Sequence, residues 1–187
     1  SKDLETLVVA GKGADNLGMQ CGGWSIDWQG GQGDITIGTT ILDGIKKTVS
    51  ESTEIIYSKD GSDVVPNLDN IAVVVIGEDP YTEFFGDKEN LDLSDDDINL
   101  ISDLKDKGFK VAVLLISGRP LNIADHIGQW NGFAAIWLPG TEGDGVSDVL
   151  FGDFGSTGRL SFPWPIKTEE GSNADKDNLL FEIGYGL

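Results

Sequence analysis

Four stretches of the chain are apolar without interruption, and each stops at or just before glycine or Pro-Gly. They are Leu7-Val8-Val9-Ala10, Ile71 to Ile76, Val111 to Ile116 and Ala134 to Leu138, followed by Gly11, Gly77, Ser117-Gly118 and Pro139-Gly140. A strand with one face in water alternates apolar and polar residues; a continuous run of this length fits a strand covered on both faces. Glu54-Ile55-Ile56-Tyr57 is a weaker fifth candidate.

The segments between these runs have helical character. Thr39 to Val49 puts Ile41, Leu42, Ile45 and Val49 on one face. Ser94 is placed to cap a helix from Asp95 to Lys107, with three aspartates in its first turn, Lys105 and Lys107 in its last, and Gly108 at the stop. Ile98, Ile101 and Leu104 form its apolar stripe, and Val146 to Phe151 is a third helical stretch. Strands alternating with helices predict an α/β fold: a three-layer α/β/α sandwich with a mostly parallel, flavodoxin-like sheet. The 187 residues suit a single domain spanning 1–187. Lys167 to Asn178 reads as a polar surface excursion before Leu179-Leu180-Phe181.

Charge and composition narrow the function. Acidic residues outnumber basic ones 32 to 13, a formal net charge of -19. Such a surface repels nucleic acid and anionic lipid, so neither is an expected partner, whereas a neutral sugar is indifferent to it. There is no apolar run of membrane-spanning length. The start, Ser1-Lys2-Asp3-Leu4-Glu5, is too polar for a signal peptide and reads as the middle of a longer chain or a trimmed end. Cys21 and His126 are each the sole residue of their type, which excludes an intrachain disulfide and a Cys/His zinc site. No metal and no cofactor is expected. Gly11-x-Gly13-x4-Gly18 has the wrong spacing for a dinucleotide loop. His126 reads as a helix-surface residue, no nucleophile-elbow sequence is present, and Arg119 and Arg159 read as partners of carboxylates at strand or turn ends.

In a parallel sheet, ligands sit at the carboxyl ends of the strands. Two long loops start there. The first, Gly11 to Gly38, carries Trp24 and Trp28 among glycines and polar residues, while Trp137 sits in a strand run as a core tryptophan would. Indole faces stack on the C–H faces of sugars; alternatively one indole plugs the loop against the body. The second, Gly77 to Asn90, carries Glu78, Asp79, Glu83, Asp87 and Glu89 beside Tyr81, Phe84 and Phe85. A carboxylic acid set against aromatic rings suits a general acid. The same residues are compatible with a solvated acidic loop or with calcium ligation.

Taken in order along the chain, the motifs have a family likeness. They are AGKGADNLG (10–18), CGGWSIDWQG (21–30), GTTIL (38–42), GEDPYTE (77–83), ISGRP (116–120), WLPGTEG (137–143), LFGDF (150–154) and LFEIGYGL (180–187). The chain resembles the second, C-terminal α/β domain of family-3 glycoside hydrolases, nearest the exo-1,3/1,4-β-glucanase and β-glucosidase branch. The resemblance implies retaining, exo-acting hydrolysis of β-glucosides. It implies that Glu83, in Pro-Tyr-Thr-Glu, is the acid/base and that Trp28, with Trp24 beside it, binds the sugar; Glu78, at the strand end, reads as structural support. It further implies that an aspartate nucleophile is supplied by an N-terminal (β/α)8 barrel with no counterpart in this chain, that the substrate is a β-glucoside or β-glucan oligosaccharide, and that the protein is secreted or periplasmic. The alternative within the same fold is a non-catalytic carbohydrate-binding or barrel-stabilising module. A phosphate or flavin binder is a third reading.

Overall fold

The computed structural model describes residues 1–66, 69–168 and 178–186. Five strands form one parallel sheet: β1 (Thr6–Ala10), β2 (Glu54–Ser58), β3 (Ile71–Gly77), β4 (Lys110–Ile116) and β5 (Gly132–Trp137), in the order β2-β1-β3-β4-β5. This is the flavodoxin-like order, and the expected three-layer sandwich is what forms. The chain runs outward from β1 to β2, then returns to β3 and proceeds the other way. The reversal opens a crevice where β1 and β3 end.

The unbroken apolar runs are explained by two cores. Val8, Ala10, Ala72, Val74, Ile76, Val111, Val113 and Leu115 face one core. Leu7, Val9, Val73, Val75, Leu114 and Ile116 face the other. The second core is closed by α2 (Ile41–Thr48) and α5 (Gly143–Phe151), the first by α3 (Asp95–Asp106) and the short α4 (Ala124–Ile127). Another short helix, α1 (Leu17–Cys21), lies within the first long loop. Burying each Leu, Ile or Val side chain contributes about 1.5–3 kcal/mol. The edge strand β5 is only half-buried.

Helix ends follow the sequence signals closely. The Thr40 and Ser94 hydroxyls accept the Asp43 and Asp97 amides, as caps for α2 and α3. At the end of α3, Gly108 (φ +90°) donates to Lys105 O and Phe109 to Leu104 O, a Schellman closure with both apolar side chains in the core. α5 begins three residues before the expected Val146, because Gly143-Asp144-Gly145 offers no apolar side chain to mark its first turn.

Two sequence expectations need correction. Trp137 is half-buried, with φ +52° beside a register shift between β4 and β5; the fully buried tryptophan is Trp164, whose indole N–H donates to Leu121 O at 2.9 Å. Trp164 lies on a short antiparallel pair, β6 (Trp164–Pro165) with β7 (Leu179–Phe181). Of the expected excursion Lys167 to Asn178, residues 169–177 lie outside the described residues. Arg159 donates to the Gly184 and Gly186 carbonyls rather than to a carboxylate side chain. The Asp97 side chain, in the first turn of α3, is buried and lies 3.3 Å from Lys12 Nζ.

Burial pushes the Asp97 carboxyl above its ordinary value of 3.8, while Lys12, Ser94 and the Gly77 amide pull the other way. An acid with a raised pKa holds its extra proton only in the fold. Its contribution to stability therefore falls as pH rises from 3.8 through the raised value, and is constant above. Asp97→Asn lacks that slope. Thermal unfolding of both proteins from about pH 3 to pH 7 should show the variant gaining on the parent as pH rises through that window. A gain that shrinks with pH would mean that the attraction to Lys12 outweighs burial.

Candidate active site

At the crevice, Glu78 leaves the end of β3 and folds back under the loop that follows it. Its side chain is 7% exposed and receives the Arg119 guanidinium on two nitrogens: Nη2 to Oε1 at 2.7 Å, and Nε to Oε1 and Oε2 at 3.1 and 3.3 Å. Arg119 follows β4 in the Ser117-Gly118-Arg119 turn, so the ion pair bridges two neighbouring strand ends. The remaining Arg119 nitrogen, Nη1, donates to Gly86 O at 2.6 Å. The Tyr81 hydroxyl donates to Glu78 Oε2 at 3.1 Å, and the guanidinium carbon lies 4.4 Å from the Tyr81 ring centre. Burial, and then the Glu78 charge, push the Tyr81 phenol up to about 12, so it remains a donor. A lysine could not hold a carboxylate on a planar fork and a carbonyl at once. The strand-end glutamate is therefore the anchor of the loop, as its position predicts.

What this anchor holds is a tight turn. Glu83–Gly86 forms one turn of 3-10 helix, and Glu83 has φ +47°. A non-glycine residue there costs on the order of 1–3 kcal/mol and persists only when its surroundings fix it. Glu83 is exposed, as are Phe84 and Phe85.

The first long loop meets this turn directly. Gln29 Nε2 donates to Thr82 Oγ1 at 2.6 Å, and the Thr82 amide donates to Gln29 Oε1 at 3.2 Å. Gly23 lies so close that a Cβ would fall 2.2 Å from Tyr81 O. The loop itself is strained: Trp24 and Ile26 have φ +61° and +65°, and Ile26, being β-branched, rarely adopts that conformation. Its indoles complete an aromatic cluster. Trp28 lies edge-on to Phe84 and Phe85 with ring centres 6.1 and 5.8 Å apart, and Trp24 is tilted against it at 6.4 Å.

All three candidate residues thus come to one edge. Trp28 packs on the two phenylalanines that follow Glu83, and Trp24 flanks it from the solvent side, 69% exposed. Trp28, packed on those rings, is still 40% exposed. Two cavities open at this edge, of about 420 and 120 Å³; the larger is walled by Lys12, Glu78, Tyr81, Phe85 and Asp97. Glu83, Trp24 and Trp28 line neither of them. They stand on an open surface, an exposed apolar patch of the kind that marks an interaction site. Asp79, Asp87 and Glu89 are exposed, and among the described residues no group of three or more His, Cys, Asp or Glu is arranged to hold a metal ion. Gln29, Thr82 and the loop-holding part of Arg119 were not legible in sequence. The only signal for Gln29 is its place beside Trp28.

Comparison with known proteins agrees with this layout. The glycosyl hydrolase family 3 C-terminal domain model matches residues 1–187. The chain is 28% identical to the lysosomal beta glucosidase of Dictyostelium discoideum, over 98% of this chain and 26% of that protein. It is 25% identical to the periplasmic beta-glucosidase of Salmonella typhimurium, over 100% of this chain and 31% of that protein. Among solved structures, the exo-1,3/1,4-beta-glucanase of a Pseudoalteromonas species superposes with a TM-score of 0.84 at 38% identity, covering 97% of this chain and 25% of that one. The chain therefore spans between a quarter and a third of the length of these relatives.

Removing Arg119 leaves the buried Glu78 carboxylate with only the exposed Lys88, whose Nζ lies 3.6 Å from Oε1, as a charge partner; breaking a buried pair costs up to about 3–5 kcal/mol. Urea unfolding of the 187-residue chain should show Arg119→Ala destabilised by that order, and Glu78→Gln with Arg119→Ala together destabilised by less than the sum of the two. Additive losses would mean that the pair is not a unit.

Proposed function

Because the chain belongs to the glycosyl hydrolase family 3 C-terminal domain family, we propose that residues 1–187 form one domain of a retaining, exo-acting β-glucosidase or β-glucanase, carrying its acid/base but not its nucleophile. The observation that carries this reading is the Glu83 turn. It is an exposed carboxylate in a fixed, strained conformation, at the ligand edge of the sheet, next to an exposed indole cluster.

In this reading Glu83 has two successive tasks. As the carboxylic acid it gives its proton to the glycosidic oxygen while the C1–O bond breaks and a carboxylate from outside this chain bonds to C1. As the carboxylate it then takes a proton from the water that attacks C1 and releases the sugar with retained configuration. Retention needs two carboxylates about 5–5.5 Å apart. The second is assigned to a (β/α)8 barrel domain packed over the open surface described above, whose arrival would also remove water from Glu83. Trp28, flanked by Trp24, stacks on the sugar of the leaving group. The substrate class is a β-glucoside or β-glucan oligosaccharide, which a surface of net charge -19 does not repel. The names of the periplasmic and lysosomal relatives support a place outside the cytosol, secreted or periplasmic.

The isolated chain should not hydrolyse aryl β-glucosides, since one carboxylate cannot perform the covalent step. Robust turnover would demand a nucleophile among Asp27, Asp79 and Asp87. In the longer enzyme, Glu83→Gln should lower kcat/KM by roughly 10²–10⁴-fold for poor leaving groups. Dinitrophenyl glucoside should keep its glycosylation rate, and added azide, which needs no base, should speed turnover. Equal loss for every leaving group without azide rescue would reassign the role. It would leave this chain as a sugar-binding or barrel-stabilising module.

A further inference from the structure

Glu83 is left-handed, and the residues on both sides of it are tied down. On the sheet side, Arg119 holds Gly86 O. On the other, the Gln29 amide holds Thr82 at two points, the hydroxyl at 2.6 Å and the backbone N–H at 3.2 Å. Thr82 is buried, so neither bond is readily exchanged for one to water. A strained residue of this kind stays in place only while such ties over-determine it. Gln29 also adjoins Trp28, whose ring packs on Phe84 and Phe85, the residues that follow Glu83. Beside this ring contact, the Gln29 amide supplies a hydrogen-bonded link between the indole that would hold the sugar and the carboxylate that would protonate it.

Resting on the reading of Glu83 given above, we infer that Gln29 is a positioning residue: it locks the Glu83 turn and sets its place relative to the Trp28 face. It touches neither the sugar nor the reacting atoms. Its effect is on how often Glu83 stands where the glycosidic oxygen will be. A misplacement of about 1 Å can cost on the order of 10²-fold in rate. Loss of the clamp should therefore slow glycosylation only for substrates that need the proton, and slow the base-assisted deglycosylation for all of them.

The test uses the longer enzyme, with rates normalised to titrated active sites so that a lower folded fraction does not count. Gln29→Met keeps the length and volume of the side chain and removes both bonds. For cellobiose and alkyl glucosides, kcat should fall by about 10–10²-fold with little change in KM. For dinitrophenyl glucoside the glycosylation rate should barely change, and azide should raise turnover. Thr82→Val keeps the backbone N–H and the volume, loses only the hydroxyl, and should give the same pattern more weakly. Added to Gln29→Met it should have no further effect, because the bond it removes is already gone. A glycosylation rate lowered equally for all leaving groups, or additive effects of the two substitutions, overturns the inference. Glu83→Gln run alongside separates the two levels. If it shows no leaving-group dependence, the reading of Glu83 falls and this inference with it. If it does and Gln29→Met does not, only the role of Gln29 falls.

Discussion

The ion pair between Glu78 and Arg119 ties the loop that follows the central strand to the end of its neighbour. The central strand stops at Gly77, and the next side chain carries a charge into a place that is almost dry. A buried carboxylate is tolerated only with a charge partner and full hydrogen bonding. Arg119 supplies both from the neighbouring strand end, and the Tyr81 hydroxyl takes a further share. Because the guanidinium has a nitrogen to spare, the same residue reaches Gly86 O across the loop. Residues 78, 81 and 86 are thereby gathered around one cation, and the short span between them has no choice but to turn tightly. The left-handed Glu83 lies within that span, with Thr82 beside it tied to Gln29.

Much of the fold could be read directly from the chain. Two-sided burial of a parallel sheet writes itself as unbroken apolar runs, and the two cores account for every second residue of those runs. Ser94 and Gly108 mark helix ends because capping is local chemistry. What could not be read were elements whose stability comes from distant partners. Trp164 is buried by segments far from it in sequence, and nothing around Phe162-Pro163-Trp164-Pro165 has a period. Asp97 looks like an ordinary first-turn aspartate; only the topology reveals that Lys12 and the end of β3 converge on it.

The site divides along the same line. Glu83, Trp24 and Trp28 were legible as a motif resemblance, and the fold brings them to one edge. Their supports were not. Gln29 bonds to Thr82 across 53 positions and Arg119 to Glu78 across 41, separations at which spacing in the sequence carries no information. The chain also presents its candidate groups on an open face rather than in a cavity. General acid chemistry gains from exclusion of water. In the proposal made above, an exposed carboxylate framed by exposed indoles and phenylalanines is one wall of a site whose other wall another domain supplies.

That division of labour can be tested by locating the covalent intermediate. In the longer enzyme carrying Glu83→Gln, β-glucosyl fluoride should still glycosylate the protein, because fluoride leaves without a proton, and the glucosyl group should accumulate for want of a base. Peptide mapping by mass spectrometry should place the label on a carboxylate outside residues 1–187. A label on Asp27, Asp79 or Asp87, or no accumulation at all, would contradict the account.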